Sequence, residues 1–464
     1  MTDKEKLYQN PYSIRVLHVK GEDAMITRID NEELYIREKI GRELAMNNVP
    51  VDFPDGLFSM DKINIRAQAS DVNRKDLTGL NCFTVDGPDT KDIDDAVSIS
   101  VTENGYVLGV HIADCSAYAE DGSELAENAL ERGTSIYFPG YSIPMFPHEI
   151  SYDLCSLTEG ADKRVVSLMI DYDHEGNVIS YEVCRAFIRS RVHGIYSEVN
   201  AVISGEADEQ IMEKYNSVME DIMNMRRLAD ILRGKRSVNG VSVDSNGQGR
   251  YRFNDGKLVL SVAGDTVSEM IIREFMLAAN SCMSRFFEDN DLPGFYRTQY
   301  SMSRKAIYST SPSSHESLGT PCGYLRFSSP IRRSSDYLIH IVVCAFLSGV
   351  SAEELNDMYL ERFEDYCRKL QRLEERALKL ERNIFNECNM LYFARHNEDS
   401  YIGIVAGKKQ GTNESIIYIK PYGIRVIGSS MLSKYIDQEF SVKVMVDNTG
   451  NILRVGHIAR LSAA

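Results

Sequence analysis

The nine cysteines of this 464-residue chain (Cys82, Cys115, Cys155, Cys184, Cys282, Cys322, Cys344, Cys367 and Cys388) form no CxxC pair and no Cys/His cluster. That argues against a zinc site. Several sit inside apolar segments, as Cys344 does, so they read as reduced, buried thiols of a cytoplasmic protein without disulfides. Long apolar runs are also missing. The most apolar stretch, "IHIVVCAFL" (Ile339 to Leu347), is far short of the roughly 20 residues a membrane span needs. The start, "MTDKEKLYQNPYS", is too polar for a signal peptide. Positive charge is in deficit: 52 Lys and Arg stand against 68 Asp and Glu, a formal net charge of −16. Taken alone this argues against nucleic acid, because phosphate binding relies on clustered Lys and Arg. Net charge governs solubility, however, while binding depends on local fields, so an acidic exterior around a basic or metal-filled channel remains compatible with the count.

What is present suffices for a full-sized core: 43% of residues are hydrophobic and 26% charged. The length suggests about two to four domains at roughly 150 residues each. An N-terminal piece, 1–60, carries two strand-like runs, "SIRVLHV" and "DAMITRI", and a helix from about Asn31. The segment Val51 to Leu80 reads as a linker punctuated by Pro54 and Gly56. From 61 to 396 strands and helices mix, with "GYVLGVHIAD" and "VVSLMIDYD" as strands and Ala352 to Arg395 as two helices. After Ser400 the pattern alternates, with a hairpin signal at Asp447 to Gly450, as in a small antiparallel barrel over 397–464. Such barrels bind single strands or serve as inert scaffolds. The expected class is α+β.

Chemistry concentrates in "FTVDGPDTKDIDDAVSISV", where Asp86, Asp89, Asp92, Asp94 and Asp95 crowd into ten residues. "CFTV" is a strand that delivers Asp86, Gly87 and Pro88 turn the chain, and a second strand resumes after Asp95. Clustered carboxylates offer the oxygen ligands that Mg²⁺ takes, and a pair of such ions can clamp both oxygens of a phosphodiester. The competing reading is an Asp-rich surface turn. An EF-hand is disfavoured, because "DGPDTKDIDDAV" lacks the Gly and Glu that such a loop needs.

A second signal is "SSPIRRSSDYLIHI". Ser328 or Ser329 as a cap and Pro330 in the first helical position would put Arg332 and Arg333 in a first turn, where the dipole disfavours cations. An anion such as phosphate, shared with the helix N-terminus, would offset this. A third helix, "DTVSEMIIREFMLAANSCMSRFF", turns Glu274 toward the core side, as a satisfied structural group or part of a site.

Together and in this order, these segments resemble the RNase II/RNase R family of exoribonucleases, whose catalytic part is called the RNB domain. "CFTVDGPDTKDIDDAVSI" is similar to the signature T-[IV]-D-G-x-[DS]-[AT]-K-D-x-D-D-A. "VHIADCSAY", "RGTSIY", "IPMFP" and "ISYDLCSL" mirror the family's VHIADVSxYV, RGTSVY, IPMLP and LSxxLCSL blocks, and "SSPIRRSSDYLIHI" is similar to TSPIRRYxDLxxHR. The likeness covers roughly residues 60 to 395. It implies a Mg²⁺-dependent enzyme, with Mn²⁺ as an alternative ion, that degrades single-stranded RNA from the 3′ end to 5′-mononucleotides. By the same resemblance Asp86, Asp92, Asp94 and Asp95 organise metal, Asp89 falls at a variable position, and Arg332 holds the scissile phosphate. Tyr137 and Tyr196 seat nucleotides, although without the resemblance each reads as an ordinary half-buried tyrosine. Glu274 and Arg333 join the RNA-binding set.

The chain departs from the pattern at several positions. Arg273 replaces the first acid of "IIEEFM", Ser334 the tyrosine after SPIRR, Ile341 the arginine after His340, and Gln299 a histidine. "NGVSVDSNGQG" lacks a clamping aromatic. The N-terminal piece is too short for a pair of cold-shock domains, so RNA capture is expected to be weaker. These departures motivate the alternative: an RNA-binding or regulatory protein of RNB architecture with little nuclease activity.

Overall fold

A computed structural model describes residues 31–238, 247–264, 266–302, 304–320, 323–447 and 449–461. The runs "SIRVLHV" and "DAMITRI" and the segment 239–246 lie outside them. The chain forms two compact units: residues 40–248 with 262–383, and the stretches 249–261 and 384–461 with residues up to 39.

The larger unit is built on a five-stranded sheet in the order β1-β8-β7-β4-β3. Its strands are β1 (Lys75–Asp76), β3 (Asp95–Thr102), β4 (Gly105–Ala113), β7 (Asp162–Asp173) and β8 (Val178–Arg189). β2 (Thr84–Asp86) pairs separately with β9 (His193–Ile195), and β5 (Ile136–Phe138) with β6 (Tyr141–Ile143). The long strands are antiparallel and β1 joins β8 in parallel. The tight β3–β4 reversal needs glycine: Gly105 has φ +147°, and a Cβ there would run into the Tyr172 carbonyl. Leu108, Val110 and Ile112 on β4 are fully buried, and His111 between them is held by Ser98 and Ser167 at 3.0 and 2.9 Å.

Helices α1 (Glu32–Met46), α2 (Met60–Ala69), α3 (Glu124–Arg132), α4 (Tyr196–Ser204), α5 (Glu209–Tyr215), α6 (Met219–Val238), α7 (Val267–Asp289), α8 (Ser334–Leu347) and α9 (Ala352–Arg395) complete the inventory. Two of them correct the sequence reading. The supposed linker contains α2, which buries Ile63 and Ala67, four residues apart on one face. The stretch expected as two helices is one 44-residue helix, α9, because no Gly or Pro interrupts it. α7 opens with a capping box between Thr266 and Glu269.

Strands β10 (Gln248–Asn254) and β11 (Lys257–Ala263) form one hairpin, β12 (Tyr296–Thr298) and β13 (Ile307–Ser309) another. In the smaller unit β14 (Ser400–Lys408), β15 (Ser415–Lys420), β16 (Ile424–Gly428), β17 (Glu439–Val446) and β18 (Leu453–Arg460) close an OB-type barrel in the order β14-β15-β16-β18-β17. Val405, Ile417, Ile419, Val426, Val442 and Val444 fill it. The hairpin expected at Asp447 is there: its carboxylate accepts the N–H groups of Asn451 and Ile452, each at 3.1 Å. The α+β class expected from the pattern holds.

Candidate functional site

Backbone pairing gathers the aspartates. β2 and β9 run parallel with Asp86 opposite Ile195, so the strand that ends at Asp86 lies beside the one that delivers Tyr196 to the start of α4. Asp95 opens β3. Between them the loop is fixed from two sides. Ser156 Oγ accepts the Ile93 N–H at 3.1 Å, and the Leu157 N–H reaches the Ile93 carbonyl at 3.0 Å. The Ala113 N–H holds the Asp94 carbonyl at 2.9 Å. Asp89 is exposed on the turn, apart from the cluster, where its variable position put it.

Asp94 is the centre of the arrangement. It is 4% exposed, and its Oδ1 accepts the Ile331 N–H at 2.9 Å while Oδ2 accepts Arg332 Nε at 3.2 Å. Arg332 also donates through Nη2 to Ser329 Oγ at 2.9 Å. Its carbonyl receives Thr134 Oγ1 at 2.8 Å and the Ser135 N–H at 3.0 Å, which ties the SPIR segment to the strand bearing Tyr137. The Tyr137 hydroxyl donates to Asp92, and its backbone N–H donates to Glu381 Oε1 at 2.9 Å. Six of the expected residues, Asp86, Asp92, Asp94, Asp95, Arg332 and Tyr137, therefore share one locality, with Tyr196 one residue beyond the β2–β9 pairing.

The electrostatics are those of crowded, buried carboxyls beside one guanidinium. Burial, then Asp95, Asp94 and Asp92, push the Asp86 carboxyl up to about 8 against the pull of Arg332. Burial lifts Asp94 to about 8 despite Arg332 and the Ile331 N–H, and lifts Asp95 to about 6. A divalent cation would relieve this repulsion, and an all-oxygen donor set suits a hard ion such as Mg²⁺. Among the described residues no three His, Cys, Asp or Glu side chains are arranged as a ready-made cage. Mg²⁺ needs none, since it binds through one or two carboxylates, waters and substrate phosphate. The chemistry of the donors, crowded carboxylates and no thiol or imidazole, is of the kind such an ion takes.

A pH dependence follows. These carboxyls hold protons to higher pH in the folded chain than in the unfolded one. The resulting stabilisation is complete below about pH 4 and is lost as pH rises through about 6 for Asp95 and about 8 for Asp86 and Asp94. In EDTA the melting temperature is expected to fall from about pH 5.5 to about pH 8.5, and added Mg²⁺ to raise it more at the higher pH. Differential scanning fluorimetry checks both; an Mg²⁺ shift equal at the two pH values would refute it.

Arg333 and Glu274 each have a direct partner of their own, and Arg333 also pulls the carboxyls of Asp94 and Asp95 down. α8 begins at Ser334, with Arg333 as its extended cap and Pro330–Arg332 in a turn, so neither arginine lies in the first helical turn. The dipole argument for an anion there fails as stated. Arg333 is answered by the buried Asp336, with Nη2 and Nε at 2.6 and 3.0 Å from one oxygen. Glu274 does face inward, with its side chain 1% exposed, and a fork from Arg236 on α6 fills both its oxygens at 2.8 and 2.6 Å. Arg273 stands 4.0 Å from it. Removing the fork strands a buried carboxylate, so Arg236→Leu is expected to cost about 3 kcal/mol in urea unfolding. A loss under about 1 kcal/mol would show that Arg273 takes over the pairing.

Gln299 Oε1 accepts the Ser317 N–H at 2.9 Å, so that departure holds local structure, whereas at Ser334 it is the backbone N–H that is engaged, by the Gly133 carbonyl at 2.9 Å. Sequence reasoning missed Glu381, one acid among many on α9. Its carboxyl is pushed up by burial, against the Tyr137 N–H and Arg332.

Comparison with known proteins bears on this geometry. The RNB domain pattern matches residues 74–306. The ribonuclease R of Thermotoga maritima is 35% identical over 271 residues, covering 56% of this chain and 37% of that one. Ribonuclease R 1 of Lactococcus lactis is 28% identical over 392 residues, 72% of this chain and 48% of its own. The chain thus spans between a third and a half of the length of these relatives. Among solved structures, the apo form of Mycoplasma genitalium RNase R superposes with a TM-score of 0.77 at 20% identity, over 91% of this chain and 78% of that one. Yeast Ssd1, described as a pseudonuclease, reaches 0.64 at 15% identity, over 90% and 58%. At such identities the likeness is one of fold. With the pattern spanning half of the chain and the aspartate and SPIR blocks brought together in space, the chain belongs to the RNase II/RNase R family of RNB-domain proteins.

Proposed function

We propose that this chain is a cytoplasmic Mg²⁺-dependent exoribonuclease that hydrolyses single-stranded RNA from the 3′ end to 5′-mononucleotides. The observation that carries the reading is Asp94. A buried carboxylate joins the aspartate loop to Arg332, so a group able to hold phosphate sits against groups able to hold metal. Mg²⁺, when bound, polarises the phosphodiester and lowers the pKa of a bound water.

One or two of Asp86, Asp92, Asp94 and Asp95 would hold the ion directly, and the remaining carboxylates would accept hydrogen bonds from its waters. Arg332, steered by Asp94 and Ser329, holds the scissile phosphate and faces the charge that develops on it. Tyr137 and Tyr196 seat nucleotides by stacking, which suits a sequence-blind enzyme because every base has a π-face. The barrel adds RNA contact.

The test is a time course on 5′-labelled single-stranded RNA with Mg²⁺ and with EDTA, resolved on a denaturing gel. A Mg²⁺-dependent ladder that shortens from the 3′ end supports the reading. Full-length RNA at enzyme excess, still bound in a shift assay, would favour the second reading, an RNA-binding protein. Arg273 supports that alternative, since it sets a guanidinium 4.0 Å from Glu274 where the family pattern has an acid.

A further inference from the structure

A second aromatic feature lies at the rim of the same unit. Residues Glu149–Leu154 form a single π-helical turn, a geometry that recurs at functional positions because it re-aims side chains. The turn presents Tyr152, whose ring stacks on His148 with centroids 4.7 Å apart and planes 23° from parallel. Lys91 Nζ stands 5.9 Å from the centre of the Tyr152 ring. His148 and Lys91 are both exposed, so the stack does not close a core.

Two links tie it to the site. The Tyr152 hydroxyl and Ser142 Oγ are 3.2 Å apart, and Ser142 pairs with Tyr137 across the β5–β6 hairpin. Lys91 adjoins Asp92, which receives the Tyr137 hydroxyl. In the family block LSxxLCSL, Tyr152 fills a position that the pattern leaves open, while Lys91 is the lysine of the aspartate signature.

A stacked ring pair with an ammonium over the Tyr152 ring matches a nucleobase that carries one phosphate, the base laid on the exposed His148 side and the phosphate drawn to Lys91. We propose that His148, Tyr152 and Lys91 form a platform for a ribonucleoside 5′-monophosphate, with the base on the rings and the phosphate toward Lys91 Nζ. The inference rests on the exoribonuclease reading, under which the occupant is the nucleotide just released. One stacked pair and one cation suit a single nucleotide; a strand calls for successive rings along a basic groove.

The test titrates the full chain in EDTA, where no turnover intervenes, with AMP, adenosine and inorganic phosphate by isothermal calorimetry. AMP is expected to bind more tightly than adenosine or phosphate. Tyr152→Leu is expected to weaken AMP by at least about five-fold. His148→Ala, which leaves the Tyr152–Ser142 contact in place, should act in the same direction, and Lys91→Met should make AMP and adenosine bind alike. Equal AMP affinity in the wild type and both ring variants overturns the proposal. So does a loss confined to oligonucleotides, which would make the stack a strand contact. The RNA time course on the same wild-type preparation judges the exoribonuclease reading separately: a chain that shortens RNA but binds AMP equally with and without the rings refutes the platform alone.

Discussion

Replacing Asp94 with asparagine is expected to lower Mg²⁺-dependent hydrolysis of single-stranded RNA by about 10²- to 10⁴-fold, with little change in folding. The carboxylate has two partners, and the substitution treats them differently. An asparagine oxygen can still accept the Ile331 N–H. Its amide nitrogen would then face Arg332 Nε, a donor against a donor, so the guanidinium loses its anchor. One negative charge also leaves the aspartate cluster, which on the proposed function organises metal. Stability should not suffer: burial holds this carboxyl up at about 8, so in EDTA near neutral pH a neutral amide is no worse than the acid. The measurement is initial rate on labelled RNA beside a melting curve in EDTA. Wild-type rates in the variant would remove Asp94 from the site. Asp89→Asn, on the exposed turn, is the control and should stay within about two-fold.

The second large effect is expected at Arg332. Arg332→Met should reduce kcat/KM by about 10³-fold and Arg332→Lys by about 10²-fold, because lysine keeps the charge and loses the fork that reaches both Asp94 and Ser329. The methionine variant should show a further change. Arg332 pulls the carboxyls of Asp86, Asp94 and Asp95 down, so its removal lets them hold protons to still higher pH. The acid limb of the pH–rate profile should move upward in Arg332→Met and stay near its wild-type place in Arg332→Lys. Profiles that coincide in all three proteins would mean that Arg332 does not act on these groups.

Much of this site was legible because its informative residues are close in sequence. Asp86 to Asp95 span one loop, and the strands on either side follow from short apolar runs. The barrel was legible for the same reason: alternation and the turn residues from Asp447 to Gly450 are local signals. The misreadings arose where distant contacts decide local structure. Ser328, Ser329 and Pro330 look like a helix start, yet the Ile331 N–H and Arg332 are held by Asp94, while the Ser329 N–H and Arg333 bind Asp336. Helix α8 therefore starts four residues after the proline. Glu274 showed its inward direction through helical spacing, but nothing local announced that Arg236 would occupy it. Glu381 gave no signal, because its task is to accept one backbone N–H from a strand 244 residues earlier. The α9 boundary is a plainer case, since the absence of Gly and Pro over 44 residues was visible in the sequence.

The contact between Asp94 and Arg332 bridges 238 residues, and that with the Ile331 amide 237. Contacts of this span close late, after the shorter hairpins have removed chain entropy. For a chain growing at about 5–20 residues per second, Arg332 is synthesised roughly 12 to 50 seconds after Asp94. During that interval the nascent chain can carry all four aspartates and still lack the arginine that answers them. On the proposed function, the residue that would hold phosphate joins the aspartates only after that interval.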